Sequence, residues 1–375
     1  MSELRVDTIN EATSGEGTTI SKLTNPNEPF RNLLINGDVK VAQRATSTSS
    51  ITGNGYHTVD RMNSIISSLG TWTQSQSTTV PTGQGFTKSL KMDCTSADAS
   101  PAASDILRIQ QAIEGQNLQH LKYGTSSAES TTLSFWVRSN KTGTYVIQLL
   151  NGAVSRQVGK TYTISSADTW EKKTITFPGD TSTALDNDNS AELYVQFCLG
   201  TGSNRSSGTL SSTWKSFVSA DQFAGQTVNL ADSTSNEWYI TGIQLEVGET
   251  ATDFEHLPFD VQLQRCQRYF TKYGGDNAFS AFGSGMWKTT TIASVILSYP
   301  TEMRSAPTLS VANAGNSHLR AAATAPNASA VAIDVSSPKA IMYNVTVSSG
   351  GTGGQGTVHF GDSTTNFTFS LSSEL

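Results

Sequence analysis

From residue 64 to residue 247 the sequence is a succession of short segments in which apolar and polar residues alternate, and no stretch of comparable length repeats at helical spacing. Period-two alternation buries one face of a strand. Strands are therefore expected at 33–41, 64–73, 87–93, 106–113, 131–138, 143–150, 160–164, 171–177, 192–199 and 238–247. Turn-rich runs such as TSTSSITGNG and GTGSNRSSGTLSS separate them. Many short strands with polar connections predict an all-β chain whose residues 30–257 form a jelly-roll-like β-sandwich. Composition agrees: 15% of the 375 residues are charged, against about 25% in an ordinary soluble domain. Ser, Thr, Gly, Asn and Gln fill the deficit, which excludes a coiled coil and a charge-rich disordered chain.

The period changes once. After the strand at 238–247, Pro258 is followed by Phe259, Leu263, Cys266 and Phe270 at helical spacing, so 258–273 is read as a linking helix. Beyond it, 274–375 is expected to be a second, smaller β-sandwich, with strands at 289–297, 308–311, 330–335, 340–347, 356–360 and 367–371. The glycine-rich stretch that starts at Ser348 is read as a hairpin loop within that domain. Short helical pieces are expected near 117–121 and 219–223. Before Leu23 the aliphatics Leu4, Val6, Ile9 and Ile20 form a ladder too short to bury itself. Residues 1–29 are read as an extended segment that trimerises or docks on another protein.

Several pieces resemble a family of phage tail fibre and related virion surface proteins of marine-phage type: RNLLINGDVKVAQR at 31–44, YHTVDRM at 56–62, IQQAIEG at 109–115, SFWVRS at 134–139, and GIQLEVG with CQRYF at 242–270. Together they cover roughly 28–273. Met62, Leu257 and Gln262 depart from the family's usual residues. The first and last strands also resemble those of carbohydrate-binding modules. The resemblance implies a non-enzymatic homotrimer on the virion, made in a host cytoplasm without a signal peptide. Residues 1–29 would attach to tail or capsid proteins, and the β domains would meet a host glycan or receptor. A capsid-decorating or head-fibre protein is the alternative, and a polysaccharide-degrading spike ranks behind both.

The chemistry of particular residues narrows the function further. A net charge of −6 with no basic cluster argues against nucleic acid, and no apolar run approaches the ~18 residues of a membrane span. Cys94, Cys198 and Cys266 lack metal-site spacing. Gly159-Lys160-Thr161 lacks the earlier glycine of a phosphate loop, since Val154 stands there. Gly361-Asp362-Ser363 has no histidine after it, which leaves out a hydrolytic triad. Glu246, Glu249, Asp253 and Glu255 are read as a solvated rim rather than a glycosidase pair. No cofactor is expected beyond a structural calcium. The loop Asp186–Ser190 has alternate oxygen ligands, yet Ala191 and Phe197 replace the glycine and glutamate of a calcium loop. A second calcium site, suggested by the carbohydrate-binding-module likeness, would use Asp38 with Asp253 or Glu255. For a glycan or receptor, flat rings in loops are the candidates: Trp287 first, then Tyr299, Tyr56, Trp72 and Trp214. Trp136, Trp170 and Trp238 lie in strand patterns and are assigned to the core.

Overall fold

The computed structural model describes residues 30–321 and 324–375, so the proposed anchor Leu4, Val6, Ile9 and Ile20 lies outside the described residues. The first unit has twelve strands: β1 Ser47–Ile51, β2 Asn63–Ser67, β3 Thr71–Ser77, β4 Ser89–Ser96, β5 Ile106–Glu114, β6 Thr131–Ser139, β7 Gly143–Asn151, β8 Arg156–Ile164, β9 Glu171–Phe177, β10 Ala191–Thr201, β11 Lys215–Ser216 and β12 Glu237–Val247. They form a front sheet ordered β1-β3-β4-β12-β6-β9 and a back sheet ordered β11-β8-β7-β10-β5-β2, with every pairing antiparallel. The two faces interdigitate in one core. Phe135 of the front sheet meets Tyr162 and Phe197 of the back sheet edge-on, with ring centroids 5.2 and 5.3 Å apart, and Trp238 is sealed beside Phe197. Chains that alternate from sheet to sheet in this way form the β-sandwich that the alternation predicts.

The segment 33–41 is not a regular strand, although Leu33 N donates to Leu245 O and Ile243 N to Gly37 O. Asn36 and Val39 have φ of 61° and 62°, and the Asn36 side chain bonds both Val41 N and Val41 O. A Cβ on Gly37 would lie 2.0 Å from Ile243 O. Close backbone approach, paid for with left-handed turns, replaces the ladder. The segment 64–73 divides into β2 and β3 at Ser68 and Gly70, both at positive φ. The expected short helical pieces are single 3-10 turns at Gly115–Asn117, Gln119–Leu121 and Ser219–Asp221.

The helix is shorter than its spacing suggests. α1 runs Phe259–Gln267, and Phe270–Gly274 is already β13 of the second unit. Phe270 thus continues the apolar period by coincidence. The other strands are β14 Ala281–Trp287, β15 Ile292–Ser298, β16 Thr308–Ala312, β17 Ser317–Leu319, β18 Ala328–Ser336, β19 Ala340–Val347, β20 Gly356–Gly361 and β21 Thr368–Ser372. A three-stranded sheet, β13-β21-β16, covers one face of a six-stranded sheet, β17-β20-β14-β15-β19-β18. β14 was not foreseen because Gly283 and Gly285 occupy its inward positions, where a Cβ on Gly285 would lie 1.8 Å from Ser294 O. The glycine-rich stretch is not a hairpin loop either, for β14 and β15 stand between β19 and β20.

The two units meet through buried charge. Glu114 of β5 accepts from Arg268 Nε and Nη2 at 2.7 Å each and from the Tyr269 hydroxyl. Arg61, fully buried, pairs with Glu374, donates to Ala112 O at 2.8 Å and lies 3.5 Å above the Tyr269 ring. Arg44 caps Phe270 at 3.6 Å and reaches Glu374 at 3.0 Å.

Candidate functional site

The front sheet's outer face carries side chains from alternate positions of β6, β9 and β12. Leu133, Phe135 and Val137 point inward, so Trp136 between them points out and is half-exposed. It stands in register with Thr241 on one side and Lys172 on the other. Beside it β12 bulges between Thr241 and Gln244, with Gly242 at φ 62°. A Cβ on Gly242 would lie 2.5 Å from the Phe86 ring, so only glycine leaves that ring its place. Phe86, Phe254 and His256 form an aromatic triangle with centroids 4.9 to 5.2 Å apart.

These residues enclose an open groove of about 250 Å³ whose other linings are Ser134, Gln84, Lys172 and Asp253. Apolar faces therefore sit beside a cation, a carboxylate, a hydroxyl and an amide. Burial pushes the His256 pKa below its ordinary 6.5, with the Lys40 charge adding to the effect. The neighbouring Tyr239 is used differently. Arg138 and Lys91 lie 5.0 and 5.6 Å from its ring centroid and share Glu237, while Trp170 abuts it edge-on. Among the described residues no ring or cation stacks on Trp136. Trp136 is thus the half-buried ring of this face without such a partner.

The aromatics singled out from the sequence are otherwise employed. Trp287 is 1% exposed: the glycine-rich 348–355 segment lies over it, with Gly351 so close that a Cβ would lie 2.0 Å from the indole. Its Nε1 faces Arg320 O at 3.3 Å. Trp72 is fully buried in the sandwich and donates to Leu69 O at 2.7 Å. A sealed ring cannot stack on a sugar, so both leave the list of ligand contacts. Tyr56 belongs to the joint, donating to Leu375 O at 2.9 Å. Trp214 donates to Pro178 O and packs edge-on against Tyr123, and Tyr299 packs against the second core. None of the five lines the groove. Conversely, Trp136 and Trp170, assigned to the core from their strand patterns, are half-exposed on the outer face. The parity of LSFWV carried that signal, because an indole flanked by two inward residues must face out.

Asp38, Asp253 and Glu255 do not converge. Asp38 is sealed against Lys40 Nζ at 2.9 Å and Gln262 Nε2, and Glu255 accepts the backbone amides of Phe30 and Asn32. Asp253 is exposed on the groove wall. No group of three or more His, Cys, Asp or Glu among the described residues could hold a metal ion. In the Asp186–Ser190 loop, Asp188 instead caps its own turn by accepting from Ser190 N at 2.8 Å. Glu246 is likewise no solvated rim, for it is buried and accepts Thr252 N and Oγ1. Two larger hollows exist, of about 370 Å³ between β5 and α1 and about 530 Å³ between the units. The first is ringed by joint residues including Arg268 and Tyr269, and the second carries no aromatic residue.

No protein-family model matches the sequence, and no curated protein matches it. Among solved structures, similarity extends to the enzymatically active domain of bacteriophage CBA120 tailspike protein 4, at 12% identity and a TM-score of 0.31 over 59% of this chain and 22% of that one. A family 11 carbohydrate-binding module from Clostridium thermocellum, solved with a mixed-linked tetrasaccharide, matches at 10% identity and a TM-score of 0.25 over 56% of this chain and 99% of the module. A module named TmCBM61, solved with β-1,4-galactotriose, matches at 8% identity and 0.28 over 58% and 99%.

Proposed function

We propose that this chain is a phage virion surface protein, a tail fibre or spike, that holds host-surface glycan in the front-sheet groove. One observation carries the glycan reading: the half-buried Trp136 lines one groove with Lys172, Ser134, Gln84 and Asp253, next to the Phe86 ring that Gly242 admits. Sugar rings are apolar on their faces and bear hydroxyls around their edges. A flat ring with donors and acceptors beside it is complementary to that pattern. The groove is smaller than the roughly 300–1,000 Å³ of sites for drug-sized ligands, so it suits one ring of a longer chain. Many such shallow contacts gain strength from copy number. The virion location, the homotrimer and attachment through residues 1–29 rest on the sequence resemblance alone.

The test is titration of the full chain with purified host-envelope polysaccharides by calorimetry, with Trp136→Ala as the comparison. Binding by the natural chain and a loss of about thirtyfold in the variant, equal to the ~2 kcal/mol of an aromatic anchor, are expected. Equal binding by both removes the groove from the reading.

A further inference from the structure

The outer face of the sandwich's back sheet is covered by the chain between β10 and β12. Phe223 of that segment is fully buried against Ile106, Val146 and Cys198, and Leu210 packs beside it. Under this cover the register lines up Asn63, Gln110, Gln196 and Gln148 across β2, β5, β10 and β7. Their amides continue into the cover. Gln222 Nε2 donates to Gln196 Oε1 at 3.0 Å, and Gln196 Nε2 donates to Gln110 Oε1 at 3.1 Å. All three glutamines are buried. Each end of the chain of amides holds an arginine: Arg108 Nε donates to Gln110 Oε1 at 3.1 Å, and Arg205 Nη1 to Gln222 Oε1 at 2.8 Å. Both arginines are half-buried, and Arg108 borders the edge strand β2 at Ile65.

Among the described residues neither arginine forms an ion pair, and the groups that hold them are neutral amides. The charge that bears on Arg108 is a like one. Burial, and then the Arg205 charge, push the Arg108 pKa down from 12.5 to about 10, which leaves it cationic at neutral pH. Two guanidinium groups brought together away from bulk water repel. On a solvated surface they would swing apart, whereas here buried glutamines fix both. We propose that Arg108 and Arg205 together bind a tetrahedral oxyanion, a sulfate or phosphate group. The chain of amides occupies one N–H of each guanidinium and leaves the others to donate. Those donors come from two elements, β5 and the turn Ser203–Arg205. A single guanidinium already matches the two oxygens of a carboxylate, but an anion with oxygens pointing several ways accepts from both arginines at once. The group arrives either as the free ion or as an ester on a larger molecule, and the recognition is the same.

This site lies on the sheet opposite the groove and stands whether or not the groove holds glycan. Its test is calorimetric titration of the full chain with inorganic sulfate and phosphate, and separately with sulfated dextran against plain dextran, at one ionic strength set with chloride. The natural chain is expected to bind either the free ions or the sulfated polymer alone, and the two arms tell the sources apart. Arg108→Gln and Arg205→Gln should each weaken that binding about tenfold, as loss of a charge-assisted hydrogen bond does. Lys339→Gln, an exposed lysine of the second unit, should leave it unchanged. Melting separates a site from a merely structural pair. Arg108→Gln removes a repulsion, so in chloride it should melt no lower than the natural chain, and it should lose the stability that sulfate adds. No binding in either arm overturns the proposal, as does equal binding by the arginine variants. An Arg108→Gln chain that melts lower in chloride yet keeps its response to sulfate assigns the arginines to the fold and also overturns it.

Discussion

Two sheets of this molecule each turn one face outward, and the faces have little in common. The front sheet of the large sandwich shows Trp136, Arg138 and Lys172, interrupted by a bulge that opens a groove. The outer face of the second unit's large sheet shows Ile296, Met286, Val335 and Val358 in level rows. The first pairs rings with hydrogen-bonding groups and suits a hydrated, hydroxyl-bearing ligand. The second sets aliphatic side chains among Ser284, Ser294 and Asn344 and carries no comparable groove. Period two alone makes a sheet; the identity of the outward residues decides what the sheet meets.

The largest effect expected from breaking this comparison comes from Trp287→Ala. Removing a sealed indole costs about 3–5 kcal/mol, so the second unit should melt early or fail to fold, and a stable variant that only loses ligand would return Trp287 to the binding surface. Arg61→Ala removes one of the two guanidinium partners of Glu374, with Arg44 remaining, together with the bond to Ala112 O; it should cost up to about 3 kcal/mol, seen as separate melting of the two units in place of one transition. Smaller still, and opposite in character, is a surface change: Trp136→Ala should weaken glycan about thirtyfold, as an aromatic anchor does, with the melting of both units unchanged.

Acid should sharpen the contrast between the cores, with the smallest effect near neutrality. Burial holds the His359 pKa down to about 3, the His318 charge assisting; its ring faces the Tyr343 hydroxyl at 3.1 Å and Ser317 Oγ at 2.9 Å. The unfolded chain takes up this proton near 6.5 and the folded chain refuses it until about 3, so the second unit loses stability as pH falls between those values. At the joint, burial pushes Glu114 upward, but hydrogen bonds from Arg268 and Tyr269 outweigh it and keep the pKa below 4.5. Its contribution is present above 4.5 and is lost as pH falls through the folded value. Asp60, raised to about 6 by burial, acts in the other direction. Hydrogen–deuterium exchange read at 340–347 and at 131–139 should show the second unit opening first below pH 6, and simultaneous opening would contradict this order.

The sandwich was legible because its inward residues are large and alternate without interruption, as in Leu133, Phe135 and Val137. β14 was not, because close backbone packing replaces side chains with Gly283 and Gly285 and erases the alternation. The site was misread for a related reason. Position in a loop was taken as exposure for Trp287, but whether a loop aromatic is covered depends on a segment about sixty residues away. Trp136 lay within a pattern already visible. There, membership of a strand was given more weight than parity along it. Phe86 is far in sequence from the Phe254–His256 segment, and only the fold brings the three rings together.

Arg61 and Glu374 are separated by more than three hundred residues, and their pairing has a consequence for biosynthesis. A polypeptide that stops short of residue 374 contains every strand of the sandwich, yet it leaves a guanidinium sealed at the joint with no counter-ion. The interior of the first-made unit thus senses whether the segment after β21 has arrived. Truncated products should be the ones that proteases clear first.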